Sequence, residues 1–76
     1  MFFDDQKFLE RLGQGIRAER KRHGLTQEEL ATSAGIHKNY VGLIERGMKA
    51  PTIITMQKIC SVFGMSLNEF FAQNDM

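Results

Sequence analysis

The sequence predicts an all-α protein, a compact domain of five helices joined by short turns. Apolar residues recur at helical spacing along most of the chain, and no segment alternates between apolar and polar residues as a strand would. Glycines mark the expected helix ends, and two capping boxes mark helix starts. The length of 76 residues suits a single small domain, in which residues 1–11 are expected to extend the first helix.

The first helix is predicted from about Asp5 to His23, where a glycine follows and ends it. Its apolar side consists of three residues spaced four apart: Phe8, Leu12 and Ile16. Two glycines in the early turns, Gly13 and Gly15, lower the stability of the helix. The residues before Leu12 are therefore expected to fray or bend.

The second and third helices are short and follow one another closely. A capping box of Thr26 and Glu29 begins the second helix, which ends at Gly35, and the third runs from His37 to about Arg46. Gly35 can adopt the left-handed backbone that a tight turn requires. Apolar residues on both helices can then hold them at a steep angle. Residues 26–46 therefore have the pattern of a helix-turn-helix, whose second helix is presented to the DNA major groove.

Residues 52–73 are predicted to form the fourth and fifth helices. Thr52 caps the fourth helix, and a second capping box, of Ser66 and Glu69, begins the fifth. The apolar positions expected in the fourth helix are Ile53, Met56, Ile59, Cys60 and Phe63. The tail AQNDM, residues 72–76, is expected to be frayed.

Charge and composition narrow the class of protein. The net charge is only +1, yet the cations cluster at Arg17, Arg20, Lys21, Arg22, Lys38, Arg46 and Lys49. A local basic face of this kind is compatible with binding to nucleic acid. No apolar run is long enough to span a membrane, and the start of the chain has no secretion signal. With a single cysteine and no intramolecular disulfide, we expect a soluble cytoplasmic protein.

The segment GLTQEELATSAGIHKNYVGLIERG, from Gly24 to Gly47, resembles the helix-turn-helix of the lambda-repressor-like, Cro-like family, also called the Xre family. The matching features are Gln27, Glu29–Ala31, Gly35, Tyr40–Val41 and Ile44–Gly47. The similarity extends from about Leu12 to Phe71, which is most of the chain. The resemblance implies a sequence-specific DNA-binding protein whose third helix reads bases with its first turn and outward face.

By this resemblance, the base-reading residues are His37, Lys38, Asn39 and Leu43. Lys38 can donate to guanine O6 and N7, and Asn39 can bond the edge of adenine. Leu43 can touch only a thymine methyl or another apolar surface, and half-burial of this side chain is an equal alternative. His37 stands at a cap position where serine or threonine is common, so we expect the imidazole to serve a phosphate or a base.

The same resemblance assigns phosphate contacts to Gln27, Tyr40, Arg46 and Lys49. Gln27 lies at the amino end of a helix, where free backbone N–H groups favour anions. Packing of the Tyr40 ring on the second helix is an equally good interpretation. Gly42 has no side chain that would hold the DNA backbone away. Arg20 is expected to form an ion pair with Glu45, which would tie the first helix to the third.

The sequence gives no indication of enzyme chemistry. Cys60 falls on the apolar side of the fourth helix, and no neighbouring histidine or helix start would activate its thiol. His23 and His37 are the only histidines and lack the spacing of a zinc site. We therefore expect no enzymatic activity, no metal and no cofactor.

The aromatic residues predict a second copy as partner. Six phenylalanines are more than so small a core can easily bury, and exposed aromatic patches mark interfaces. We predict a homodimer with an interface of Phe63, Leu67, Phe70 and Phe71. The pair Phe2 and Phe3 either joins this interface or folds back over the core. A twofold dimer would hold its reading helices about 34 Å apart on a near-palindromic operator.

Together these features predict a dimeric transcriptional regulator that controls its own gene. It would repress by covering a promoter, or activate by contacting RNA polymerase. Among small members of the family, the chain looks most like the controller protein of a restriction–modification system. The alternatives are a phage or plasmid repressor and an antitoxin-type protein-interaction module that acts through its aromatic surface. No small-molecule ligand is expected, because the chain leaves no room for a sensing domain.

Overall fold

The computed structural model describes residues 2–76 and folds them into five α-helices without a strand. The helices are α1 (Asp5–Arg22), α2 (Gln27–Ala34), α3 (Lys38–Glu45), α4 (Ile53–Val62) and α5 (Leu67–Gln73). α3 packs against both α1 and α2, while α4 packs against α2 and α5. The predicted all-α, five-helix class is confirmed.

Every helix begins with a side chain that accepts a hydrogen bond from the first turn. The caps are Asp4, Thr26, His37, Thr52 and Ser66. Both predicted capping boxes are present, at Thr26–Glu29 and at Ser66–Glu69. In the second box, hydrogen bonds from the backbone and side chain of Ser66 lower the pKa of Glu69. These local contacts fix the helix starts where the sequence indicated them.

The two glycines of α1 do not break it. The helix is continuous from Asp5, so the prediction that its early turns fray is wrong. A Cβ at Gly13 would overlap the carbonyl oxygen of Ile44 and lie 2.5 Å from that of Glu45. A Cβ at Gly15 would lie 2.6 Å from the side-chain oxygen of Asn74. The glycines therefore allow α1 to approach the end of α3 and the end of α5.

The core lies where the five helices meet. Its buried apolar residues are Leu12, Ile16, Leu30, Ala31, Ala34, Val41, Ile44, Met56, Ile59, Cys60, Phe63 and Phe70. The prediction that Ile53 faces this core is wrong, because its side chain lies in the first turn of α4 and is 74% exposed. Burial raises the pKa of the Cys60 thiol, as expected for a cysteine that packs as a small apolar side chain.

The carboxyl-terminal tail is held against α1. Arg11 donates from Nη2 to the carbonyl oxygens of Asn74 and Asp75, at 3.0 and 2.9 Å. Asn74 in turn donates from Nδ2 to the carbonyl of Phe70 at 2.8 Å. Met76 packs against the core. The prediction of a frayed tail is therefore wrong.

Two of the four residues predicted for the dimer interface belong to the core of the single chain. Phe63 is 5% exposed and Phe70 is 0% exposed, so these side chains have no surface to give to a partner. Leu67 and Phe71 are half-buried. Phe2 is 99% exposed and Phe3 is 72% exposed, with the ring of Phe3 at a centroid distance of 5.3 Å from that of Phe8. The alternative that this pair folds back over the core is therefore wrong.

Candidate nucleic-acid interface

The turn between α2 and α3 is built by one glycine and two backbone hydrogen bonds. Gly35 has φ +71°, in the left-handed region that favours glycine. The N–H of Gly35 donates to the carbonyl of Thr32 at 3.2 Å, and the N–H of Ile36 donates to the carbonyl of Ala31 at 2.9 Å. Leu30 and Val41 are fully buried on the facing sides of the two helices. This arrangement fixes the direction of α3 relative to α2.

A buried ion pair joins α1 to the end of α3. Arg20 donates from Nε to Glu45 Oε2 at 2.7 Å and from Nη2 to Glu45 Oε1 at 3.0 Å. Its third donor, Nη1, bonds the carbonyl of Leu25 at 2.8 Å. The side chains are only 11% and 3% exposed, and the hydrogen bonds to Glu45 raise the pKa of Arg20. The predicted pair is thus present, with a bidentate geometry.

Gln27 is attached to this pair from the first residue of α2. Its Nε2 donates to Glu45 Oε1 at 3.1 Å, so one carboxylate orients both Arg20 and Gln27. Gly42 lies beneath it, where a Cβ would be 3.4 Å from Gln27 Oε1 and from Arg46 Nη1. The glycine therefore leaves a shallow floor between the two side chains.

An open cleft runs between α2 and the outward face of α3. Its lining consists of Arg20, Thr26, Gln27, Glu28, Lys38, Asn39, Gly42, Leu43 and Arg46. Lys38 and Asn39 are exposed at its α3 side, and Leu43 is half-buried beside them. Five of the residues predicted to contact DNA are thereby brought to one surface: Gln27, Lys38, Asn39, Leu43 and Arg46. The surface offers both amide and cationic donors.

The three other predicted contact residues lie outside the lining of the cleft. His37 caps α3, and its Nδ1 accepts from the N–H of Asn39 at 3.1 Å. In the neutral ring the proton is therefore on Nε2. His37 therefore serves as the cap of α3, and its contact with a base or a phosphate stays a prediction. Tyr40 is half-buried against the core, which favours the packing interpretation, and Lys49 is exposed in the loop after α3.

Residues 16–70 match the protein family described as helix-turn-helix. The chain belongs to this helix-turn-helix family. The match includes α2, the turn, α3 and the buried residues that hold them. The fold is that of DNA-binding transcriptional regulators of the family, as the resemblance to Xre-type proteins implied.

Curated helix-turn-helix relatives are named as transcriptional regulators. The chain is 34% identical over 61 residues to the HTH-type transcriptional regulator PuuR of Escherichia coli, covering 80% of this chain and 33% of PuuR. It is 33% identical over 64 residues to the regulator y4dJ of Sinorhizobium fredii, covering 84% of this chain and 83% of y4dJ. The chain thus spans about a third of PuuR but most of y4dJ.

Solved structures have the same fold. A helix-turn-helix transcriptional regulator from Vibrio cholerae superposes with a TM-score of 0.84 at 36% identity, over 92% of this chain and 39% of that one. The restriction-modification controller protein C.AhdI from Aeromonas hydrophila superposes with a TM-score of 0.83 at 32% identity. That alignment covers 86% of this chain and 98% of C.AhdI.

Two polar features of this helix-turn-helix protein were missed from the sequence. Glu28 Oε2 accepts a hydrogen bond from Lys38 Nζ at 3.4 Å across the cleft, a contact that joins α2 to α3. Glu19 is buried and bonds three residues, Arg22, His23 and Gln73. The i,i+3 and i,i+4 spacings to Arg22 and His23 are a signal that predicts two of these contacts. The third joins distant helices and has no local signal.

Within residues 2–76, no helix is both long and apolar enough to cross a membrane. In the same residues, no three His, Cys, Asp or Glu side chains gather as metal ligands do.

Proposed function

We propose that the chain is a sequence-specific DNA-binding transcriptional regulator and that the cleft between α2 and α3 faces the operator. The observation that carries this proposal is the grouping of Gln27, Lys38 and Asn39 on one open surface. A buried ion pair holds the first of these, and a helix cap orients the helix that bears the other two. Base readout requires donors in fixed positions opposite the base edges, and these contacts hold the donors in such positions.

In this proposal, the exposed end of α3 reads bases in the major groove. Lys38 donates to guanine O6 and N7, and Asn39 bonds an adenine edge. Leu43 contributes its exposed part to a thymine methyl, and His37 offers Nε2–H to a base or phosphate. Because Nδ1 of His37 accepts the hydrogen bond of the cap, Nε2 is the ring nitrogen that can donate.

Phosphate contacts then flank the reading helix on both sides. Gln27 stands at the amino end of α2, where unpaired backbone N–H groups attract an anion. Arg46 follows α3 and Lys49 lies in the next loop, and both are exposed. Tyr40 is half-buried, so its hydroxyl is the part of the side chain assigned to a phosphate. These contacts supply affinity and register but no direct sequence information.

We further propose a homodimer on a near-palindromic operator. Exposed apolar side chains support it: Phe2, Phe3, Met48, Ile53 and Ile54. Ile53 also lines an apolar groove, together with the half-buried Leu67 and Phe71. A twofold pairing through this surface would place the two α3 helices about one DNA turn apart, roughly 34 Å.

A controller of a restriction–modification system that regulates its own gene is the biological role we propose. The likeness to C.AhdI supports it, because the alignment includes nearly all of that controller protein. The second candidate is a protein-interaction module, which the exposed apolar side chains favour. That candidate requires the apolar surface to carry the activity and α3 to be idle.

The test is a mobility-shift titration at near-physiological salt. The purified protein is titrated with the duplex upstream of its own gene and with a scrambled duplex of equal length. The proposal expects selective binding that Lys38→Ala and Asn39→Ala each weaken by about 1–3 kcal/mol at one base position. Gln27→Ala should weaken binding to both duplexes alike. If Lys38→Ala and Asn39→Ala both leave sequence preference unchanged, the assignment of α3 as the reader is wrong.

A further inference from the structure

An acidic side chain stands at the surface that is proposed to face DNA. Glu28 lines the cleft from α2, and its Oε2 lies 3.4 Å from Lys38 Nζ on α3. The side chains are 70% and 57% exposed. A carboxylate in this place repels the phosphates of any duplex and lowers affinity for all sequences. It therefore needs a role that outweighs this cost.

The role follows from the chemistry of the lysine. A lysine ammonium is a compact charge on a flexible stem, and beside DNA it can neutralise whichever phosphate is nearest. Lys38 donates one of its three N–H groups to Glu28 Oε2 at 3.4 Å, which places the ammonium on the α2 side of the cleft. The two remaining donors can still reach O6 and N7 of one guanine. A neighbouring phosphate, in contrast, would have to displace the carboxylate.

We propose that Glu28 is a positioning residue that sets base specificity by holding Lys38 away from the phosphate backbone. This inference rests on the proposed function, because it assumes that α3 reads bases. Glu28 is thereby a specificity determinant without itself bonding a base. It lowers affinity for unselected DNA and keeps Lys38 available for guanine.

The test compares Glu28→Gln with a charge-matched control. Glu28→Gln removes the charge with almost no change of shape and leaves the Thr26–Glu29 capping box intact. Glu10→Gln makes the same change of net charge on an exposed residue of α1 that does not line the cleft. An operator is first selected with the wild-type protein from a pool of randomised duplexes. Each protein is then titrated with that operator, its single-base variants and a scrambled duplex at several salt concentrations.

Glu28→Gln should bind the scrambled duplex more tightly, with a salt slope steeper by about 0.9 because Lys38 neutralises one more phosphate. Its preference at the base pair read by Lys38 should fall by up to about fivefold, the upper range of what an exposed ion pair contributes. Neither change is expected of Glu10→Gln. If Glu28→Gln and Glu10→Gln change affinity, salt slope and base preference equally, the effect comes from net charge alone and the proposal is wrong.

A second pair of variants tests whether Glu28 acts through Lys38. In a Lys38→Ala background, Glu28→Gln should leave base preference unchanged, since the residue that it positions is gone. A loss of preference that persists in that background would overturn the proposal. If the wild-type protein enriches no sequence from the pool, the proposed function itself fails. Selective wild-type binding with unaltered preference in Glu28→Gln refutes only the role of Glu28.

Discussion

Replacing Glu45 with glutamine should destabilise the protein far more than an ordinary polar substitution does. The carboxylate is 3% exposed and accepts hydrogen bonds from Arg20 Nε, Arg20 Nη2 and Gln27 Nε2. Its removal leaves the buried Arg20 charge without a counterion. Breaking one side of a buried pair in this way costs about 3–5 kcal/mol. A domain of this length has about 4–11 kcal/mol of stability in total, so the loss is a large part of it.

Urea unfolding followed by circular dichroism measures this loss. With a slope near 1 kcal/mol per M, the midpoint should fall by about 3 M or more. Glu10→Gln, on the exposed face of α1, is the control and should stay within about 0.5 kcal/mol of wild type. The paired change Arg20→Met with Glu45→Leu removes both charges and should recover most of the stability. A loss below about 1 kcal/mol in Glu45→Gln, typical of exposed pairs, would refute the reasoning.

Two further substitutions and one labelling experiment test the packing of the helices. Gly13→Ala should lower the free energy of unfolding by about 1–3 kcal/mol, because the new methyl overlaps the carbonyl oxygen of Ile44. An unchanged melting temperature would show that α1 and α3 are farther apart. Gly42→Ala should raise the free energy of unfolding by up to about 1 kcal/mol through helix propensity, since the nearest atoms are flexible ends of side chains. The same methyl should weaken operator binding, because it fills the floor of the cleft. Thermal melts and mobility shifts on one preparation separate these effects. Cys60 should resist a thiol reagent at mildly alkaline pH until urea is added, because burial raises the pKa of its thiol; rapid labelling of the native protein would contradict its place in the core.

The parts of the fold that local chemistry decides are the parts that sequence predicts well. The capping boxes at Thr26 and Ser66 act within three residues of the chain, so the pattern of letters contains the whole interaction. The left-handed turn at Gly35 is equally local. These signals place the starts of α2 and α5 and the helix-turn-helix without reference to the rest of the molecule.

Long-range contacts explain the predictions that were wrong. Helix propensity treats Gly13 as a weak point, whereas the structure uses it for contact with α3, more than thirty residues away. The tail was expected to fray because nothing nearby holds it, yet Arg11 binds it from the other end of the chain. Likewise, a count of phenylalanines cannot tell that Phe63 and Phe70 lie in the core of the chain and that Phe2 is exposed.

The candidate site divides along the same line. The family resemblance assigns DNA contacts to Gln27, Lys38 and Asn39, and α2 and α3 bring these residues to one cleft. It does not supply their partners, since the bonds from Gln27 to Glu45 and from Lys38 to Glu28 connect different helices. Partner choice depends on the angle between helices and on burial, neither of which can be read from spacing along one helix.

The contact from Gln27 to Glu45 connects the stability of the domain to its proposed interface with DNA. One carboxylate neutralises Arg20 in the interior and orients the Gln27 amide that we propose faces the operator. The Arg20→Met, Glu45→Leu protein therefore separates the role of Glu45 in stability from its role in orienting Gln27, which a single substitution at Glu45 changes together. This protein should be folded and stable. Its Gln27 amide, without Glu45 as acceptor, should lose its orientation and bind the phosphate less tightly. Because that contact is independent of sequence, affinity should fall for operator and scrambled DNA alike, and base preference should persist. The buried pair thus serves the positioning of a surface residue as well as the stability of the core.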